Sequence, residues 1–249
     1  MKMPATDDST TGMPSNGTRD RVVVVIPHYN RLEDTAACCR SLHVQEPKPA
    51  EIIIIDNAST AHTPAALTEA CAPAKVIRLD VNRGFAAAVN IGIRQALATP
   101  DTGFIWVLNN DPLCPPGTLH GLLAIAKSDE RIGLVGCPLI ETGSNQRDLL
   151  VAAGKKLSQP WFIPRPAPPD ETPDYLSGAT MVIKRAVLES IGLFDEAFFF
   201  FFEDADFSFR ARAGGWRLAI APDVRIHHRG SSTVKVMREF QARHYRAGH

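Results

Sequence analysis

Residues 197–210, AFFFFFEDADFSFR, set five consecutive phenylalanines directly against Glu203, Asp204 and Asp206. A carboxylate beside a low-dielectric aromatic wall loses hydration and becomes a stronger proton acceptor. A general base requires that. The same stretch has a structural reading: Asp204 to Ala213 is helical in character with Asp204 at or near the N-cap, Gly214 and Gly215 stop it, and Asp206 and Arg210 are spaced for an ion pair. Capping needs one acidic residue and no aromatic block, so the base reading is preferred. Glu203 is then a partner that orients base or acceptor, and many of the rings are expected in the core.

Two further groups could do chemistry. Asp111 closes VLNND at the end of a buried strand, where the sheet fixes its backbone; it serves either as a metal carboxylate or as part of an Asn110-Asp111-Pro112 turn. His227 and His228 end a late strand whose alternation sends them to opposite faces, so at most one looks toward the crevice. A metal held by Asp111, a histidine and diphosphate oxygens suits Mn²⁺ or Mg²⁺, with imidazole favouring Mn²⁺.

The elements that must position these residues are legible as runs and periods. RVVVVIPHYN and EIIIIDNAST are short β-branched apolar runs of the kind buried on both faces, and Arg31 to His43 between them carries Leu32, Ala36, Cys39 and Leu42 on one helical face. KVIRLD and GFIWVLNND add two strands around the alanine-rich helix of NRGFAAAVNIGIRQALA. The pattern predicts a doubly wound, mainly parallel sheet. Its strands end in polar residues (His28, Tyr29 and Asn30; Asp56 and Asn57; Asn82 and Arg83; Asn109, Asn110 and Asp111), where open α/β sheets place their ligand crevice. Past Pro112 come a helix near Gly117 to Ala126, one apolar strand RIGLVGCPLI, and a surface loop or flap with six prolines from Gln159 to Pro173.

Composition removes several classes. Twenty-seven basic and twenty-seven acidic side chains leave no global field for nucleic acid. Five cysteines without a C-x-x-C pair indicate reduced thiols in a cytoplasmic protein. No run reaches the roughly 18 apolar residues of a membrane span, and residues 1–20 read as a disordered tail ahead of one domain, 21–249. The chain has neither a G-x-x-x-x-G-K-[ST] loop nor G-x-G-x-x-G after its first strand, so a diphosphate must be met by metal or basic side chains.

Taken together, VVVVIPHYNR, EIIIIDNAST, NRGFAAAVNIGI, FIWVLNNDP, YLSGATMVIKRAVLESIGLFDEAFFFFFEDADFSFRARAGGW and HHRGSS resemble the family 2 glycosyltransferases of GT-A fold, most closely their rhamnosyltransferase-like branch. The resemblance implies a Rossmann-like nucleotide-sugar half, 21–112, and a mixed acceptor-side catalytic half, 113–249. It implies that Pro27, Tyr29, Asn30 and Asp56 hold the nucleoside, and that Arg83 and Gly84 belong to a donor-side loop. It sets Asn109, Asn110 and Asp111 at the D-x-D site, with Asn109 replacing the first aspartate and Asp111 the metal ligand. Asp204 matches the catalytic base; His227 matches the metal histidine, with His228 the alternative and Ser232 the following serine. Family members continue past HYRAGH, which implies a truncated or partial form.

The expected chemistry is an inverting sugar transfer from a thymidine- or uridine-diphosphate donor to a saccharide or lipid-linked saccharide in cell-surface polysaccharide synthesis. A sugar-nucleotide pyrophosphorylase, which needs a glycine-rich basic loop where this chain has PHYNR, and a degenerate binding protein are the alternatives. Trp161 could stack on an acceptor sugar. The tail with Arg229, Lys235, Arg238, Arg243 and Arg246 against Glu239, and Val236, Met237 and Phe240 on its apolar side, could touch an anionic membrane surface or a lipid-pyrophosphate.

Overall fold

The β-branched runs form the centre of a sheet. In the computed structural model, which describes residues 19–142, 148–151, 153–158, 160, 163–168 and 171–228, the chain opens with β1 (Arg21–His28), α1 (Leu32–His43), β2 (Glu51–Asp56), α2 (Pro64–Ala70), β3 (Lys75–Arg78), α3 (Gly84–Leu97) and β4 (Thr102–Leu108). It continues through β5 (Pro112–Leu113), α4 (Thr118–Ser128), β6 (Ile132–Gly136), β7 (Leu139–Thr142), β8 (Asp148–Val151), β9 (Gly154–Ser158), β10 (Ile163–Pro166) and β11 (Tyr175–Leu176). The last elements are β12 (Thr180–Lys184), α5 (Arg185–Ile191), α6 (Glu203–Ala213), β13 (Arg217–Ile220) and β14 (Ile226–His228).

Seven strands form the main sheet in the order β13-β6-β12-β4-β1-β2-β3, parallel except for β12, which runs antiparallel to both β4 and β6. Alternation along β1 divides the core. Val22, Val24 and Ile26 join Leu42, Leu67, Leu119 and Leu122 from α1, α2 and α4. Val23 and Val25 join Val89, Ile93, Val187 and Phe207 from α3, α5 and α6. Helices on both faces explain why β1 and β2 are nearly all apolar. After β3 the chain returns to lay β4 on the other side of β1, so the strand order reverses between β1 and β4; a crevice opens at such a point beyond the carboxyl ends of the strands.

Three expectations are corrected. RIGLVGCPLI is two strands, β6 in the main sheet and β7 in a four-stranded sheet ordered β5-β14-β7-β8, with the chain leaving the first at Cys137-Pro138. The proline-rich stretch includes an exposed edge strand, β10, antiparallel to β9 in a three-stranded sheet; an edge tolerates Pro164 and Pro166 because the missing N–H faces no partner. None of Phe198 to Phe202 is buried. The aromatic core is supplied elsewhere, by Phe194 and Phe207, stacked 4.3 Å apart, and by Trp106, which donates to Thr180 Oγ1 at 3.0 Å across the β4–β12 pair. All five cysteines are buried and free of disulfides. Among the described residues, no helix is long and apolar enough to cross a membrane. Trp161, Ser232 and the basic tail lie outside the described residues.

Candidate active site

A cavity of about 450 Å³ occupies the point where the strand order reverses. Its walls come from the end of β1 and the following turn (Pro27, His28, Tyr29, Asn30, Arg31), from Asn57, Asn82, Gly84 and Phe85, from Asn109, Asn110 and Asp111 after β4, and from Phe199 and Phe200. The volume falls in the range of small-molecule and cofactor sites. Seven of the sequence candidates line it: Pro27, Tyr29, Asn30, Gly84, Asn109, Asn110 and Asp111.

Asp56 does not line it. Its carboxylate is fully buried, accepting from Arg78 and from Ser59 N–H at 3.0 Å. Burial alone would raise its pKa, but the Ser59 and Arg78 hydrogen bonds outweigh that and hold it below the usual carboxylate range. The network continues outward: Asn30 N–H donates to Ser59 Oγ at 2.9 Å, and Asn30 Oδ1 accepts from Thr60 and Ala61 N–H. Asp56 therefore shapes the loop after β2 and fixes Asn30, whose φ of 59° is left-handed.

His28 is a wall residue whose role the sequence left open. Its Nδ1 lies 2.7 Å from Thr35 Oγ1 and its Nε2 2.7 Å from His62 Nε2. Burial lowers its pKa to about 4; Asp56 pulls the other way, and His62 and Arg78 add to the depression. A neutral imidazole can thus face a ligand without adding charge.

The aromatic segment reaches the cavity because backbone groups pin it there. Asn90 on α3 donates to Phe194 O at 2.8 Å and accepts from Phe194 N–H at 3.0 Å, and Glu196 pairs with Arg94 and Arg83. Arg83 thus faces Glu196 and lies outside the wall. Phe85 N–H then donates to Phe199 O at 2.8 Å, and Asn57 grips the same turn by accepting from Arg83 N–H and donating to Gly84 O. Gly84 is required twice: its φ is +83°, and a Cβ there would stand 2.3 Å from Phe199 O. Gly84→Ala is expected to cost about 2–4 kcal/mol of stability and to weaken ligand binding in the cavity more than tenfold. Gly192→Ala, at φ +80° and ψ −166° with nothing within 4 Å, should cost about 1–3 kcal/mol and leave ligand binding in the cavity unchanged. Urea unfolding and nucleotide titration of both variants check this pair.

Glu203 and Asp204 open α6. The N-cap is Phe202, left-handed at φ 70° and solvent-exposed; Phe201 before it is also left-handed. Asp204 is therefore the second helical residue and not the cap; the expected Asp206–Arg210 pair is present at 2.8 Å. Asp204 Oδ2 accepts from Gly178 N–H at 2.8 Å and Oδ1 from Ala205 N–H at 2.8 Å. Burial raises its pKa against the lowering effect of those N–H bonds. Gly178 brings the two backbones close: a Cβ there would lie 3.3 Å from Asp204 Cβ and 3.6 Å from the tip of Phe85. Asp204 does not line the cavity; it shares the neighbour Gly178 with Phe85, which does, and Phe200 meets Phe85 edge-on at 6.5 Å.

Glu203 is buried, and among the described residues no hydrogen-bond donor reaches its Oε2. Burial, then the Asp204 charge, raises its pKa to about 7. A carboxyl whose pKa is higher folded than unfolded favours folding fully below its unfolded value, about 4.3, and that contribution is lost as pH rises through 7. Between pH 5 and 8 the wild type should lose on the order of 3 kcal/mol that Glu203→Gln retains, read from urea midpoints of the two proteins at each pH. Equal pH slopes would contradict the burial argument.

Asp111 is a buried carboxylate between Asn110 and β5. Pairing of β14 with β5 brings late chain to it: His227, exposed, opposes Leu113, and His228 opposes Pro112, the residue after Asp111. The His228 side chain lies outside what the structure describes. Among the described residues no three His, Cys, Asp or Glu side chains converge. A divalent cation at Asp111 would complete its shell with substrate oxygens, as Mg²⁺ and Mn²⁺ do with diphosphates, so the oxygen-rich Asn109, Asn110 and Asp111 set fits such an ion.

This mostly parallel seven-stranded sheet and its crevice have the GT-A fold of glycosyltransferases. The sequence profile described as glycosyl transferase family 2 matches residues 23–192, and the chain belongs to that family. It is 28% identical over 247 residues to an N-acetylglucosaminyl-diphospho-decaprenol L-rhamnosyltransferase of Mycobacterium tuberculosis, an alignment covering 89% of this chain and 78% of the relative. The fold resembles a mannosyltransferase from Pyrobaculum calidifontis solved with GDP-Man and Mn²⁺ (TM-score 0.64, 22% identity, 88% of this chain and 60% of that one). It also resembles GalNAc-T7 solved with UDP, GalNAc and Mn²⁺ (TM-score 0.68, 20% identity, 84% and 43%). The chain spans less than two thirds of either solved structure.

Proposed function

We propose that this glycosyltransferase moves a sugar, rhamnose on the strength of the mycobacterial relative, from a thymidine- or uridine-diphosphate donor to a hydroxyl of a saccharide or lipid-linked saccharide, with inversion, in cell-surface polysaccharide synthesis. The observation that supports the reading is that Gly178 borders both Asp204 and Phe85, and Phe85 lines the same cavity as Asp111. Residues 21–112 then form the donor half and 113–249 the acceptor half of one domain, acting in the cytoplasm at the inner face of the membrane.

In this reading the nucleoside lies among Pro27, Tyr29, Asn30 and neutral His28, in a pocket whose shape Asp56 maintains from behind. Asn57 and Gly84 hold the turn on the donor side, and Phe199 and Phe200 exclude water above it. Asp111, with Asn109 and Asn110 beside it and His227 or His228 arriving on β14, would hold Mn²⁺ or Mg²⁺. When bound, that ion neutralises charge on the diphosphate. Asp204 Oδ accepts the proton of the acceptor hydroxyl as its oxygen bonds to the anomeric carbon, and the bond from that carbon to the diphosphate oxygen breaks on the opposite face. Desolvation makes Asp204 a better acceptor, while the N–H bonds from Gly178 and Ala205 fix its rotamer. Glu203, half-protonated near neutral pH, lessens the charge beside Asp204.

A panel of nucleotide sugars with and without Mn²⁺ tests the reading by thermal shift and by donor hydrolysis. The expected result is metal-dependent stabilisation by a thymidine- or uridine-diphosphate sugar together with its turnover. Stabilisation without turnover would favour a degenerate binder, and no stabilisation by any donor would overturn the proposal.

A further inference from the structure

A second set of partly exposed side chains lies along the segment that meets Asp204, outside the donor cavity. The chain from Tyr175 to Gly178 runs along α6 in the opposite sense: Gly178 N–H meets Asp204 Oδ2 at 2.8 Å, Leu176 N–H meets Ser208 Oγ at 3.2 Å, and the Tyr175 ring sits 6.2 Å from Phe209. Leu176 is fully buried, so its neighbour Tyr175 turns the other way, and Tyr175 is the direct cross-strand partner of Lys155 on β9. Direct partners in an antiparallel pair share a face with Cβ atoms about 5 Å apart. Phe209 is 39% exposed.

The charges nearby are unequally matched. Lys156 pairs with Glu171 and Asp174, Arg165 with Glu171, and Arg212 with Asp174. Lys155, half-exposed, has no carboxylate within ion-pair distance among the described residues. One face of this small sheet is thus neutralised within the protein, and the face beside the base presents an ammonium, a phenol and an exposed ring.

We propose that Lys155, Tyr175 and Phe209 form the acceptor subsite, and that the acceptor is a saccharide carrying a phosphate or diphosphate next to the sugar that is modified. The proposal rests on Asp204 being the base. A base must lie within hydrogen-bond reach of the hydroxyl it deprotonates, so side chains that flank it outside the donor cavity meet the acceptor ring. Phe209 and Tyr175 offer the apolar surface that the C–H face of a sugar covers, the phenol offers a donor, and the ammonium meets phosphate oxygens. Burial, then the charge of Asp204, holds the Tyr175 phenol above its ordinary range, which keeps it a donor. The phosphate could belong to a lipid-linked diphosphate or to a soluble sugar phosphate.

The test measures acceptor KM with saturating donor and Mn²⁺ for three probes: an N-acetylhexosamine 1-phosphate, the same sugar on a diphosphoprenol in detergent, and its uncharged methyl glycoside. Lys155→Ala should raise KM about tenfold for the two phosphate-bearing probes only, Phe209→Ala should raise it for all three, and Lys156→Ala should change neither. Donor hydrolysis without acceptor should be the same in every variant, which separates this subsite from the donor site and from misfolding. Lower KM for the diphosphoprenol than for the 1-phosphate, with Lys155→Ala acting on both, supports the lipid source; the reverse order supports the soluble one. The subsite is overturned if Lys155→Ala shifts no KM, if the wild type uses the methyl glycoside as well as the phosphates, or if it hydrolyses donor yet transfers to no probe. Failure of the wild type to bind donor would instead sink the transferase reading itself.

Discussion

Asp204→Asn should lower turnover of sugar transfer by about 10²- to 10⁴-fold and leave the donor Kd within about twofold of wild type. The amide keeps the shape of the side chain and one oxygen for the N–H of Gly178, but it cannot take a proton. The donor cavity is walled by other residues, and Asp204 contributes no lining surface. The effect should therefore appear in kcat, read from steady-state transfer beside a nucleotide titration. Glu203→Gln provides the contrast. A carboxyl that titrates at about 7 already spends much of its time protonated, so its amide should retain most activity at pH 6. If Glu203→Gln abolished transfer and Asp204→Asn did not, the roles assigned to the two residues would be exchanged.

Asp111→Asn should produce the second large effect, a loss of about 10²-fold or more in metal-dependent donor binding, with little change in binding of the nucleoside alone. Asp111 is a buried carboxylate in the cavity wall, and Asn109 and Asn110 beside it carry no charge. Removing its charge leaves neutral oxygen donors facing a diphosphate. Isothermal titration of the nucleoside diphosphate with and without Mn²⁺, and of the nucleoside as control, reads the difference. Equal losses for both ligands would indicate a collapsed pocket instead of a missing metal ligand.

The parts of this architecture that were legible in the sequence are those set by local period and composition. Val22 to Ile26 and Ile52 to Ile55 read as strands buried on two faces because every residue is apolar and β-branched, and both cores do meet there. The polar strand ends marked the crevice, because Tyr29, Asn30, Asn109, Asn110 and Asp111 follow strands whose direction a parallel sheet imposes. Where long-range backbone contacts decide, the sequence was silent or misleading. Phe198 to Phe202 read as core material by hydrophobicity, yet Asn90 and the Phe199 carbonyl tether the segment across α3, where its rings roof a cavity. The His28–His62 contact joins the end of β1 to the turn before α2, 34 residues apart, and has no local pattern. Asp56 read as a ligand contact, but Arg78 at the end of β3 captures its carboxylate, a pairing set by strand register. Tyr175 drew no notice, because its importance depends on being opposite Lys155 and beside Phe209.

The most direct measurement is a crystal structure with a nucleoside diphosphate sugar and Mn²⁺, with the ion located by its anomalous scattering. The base should lie against Pro27, His28 and Tyr29, the Mn²⁺ peak should sit at the Asp111 carboxylate, and the anomeric carbon should face the Asp204 side of Phe85. A nucleotide bound elsewhere, or an anomeric carbon turned away from Asp204, would contradict the account.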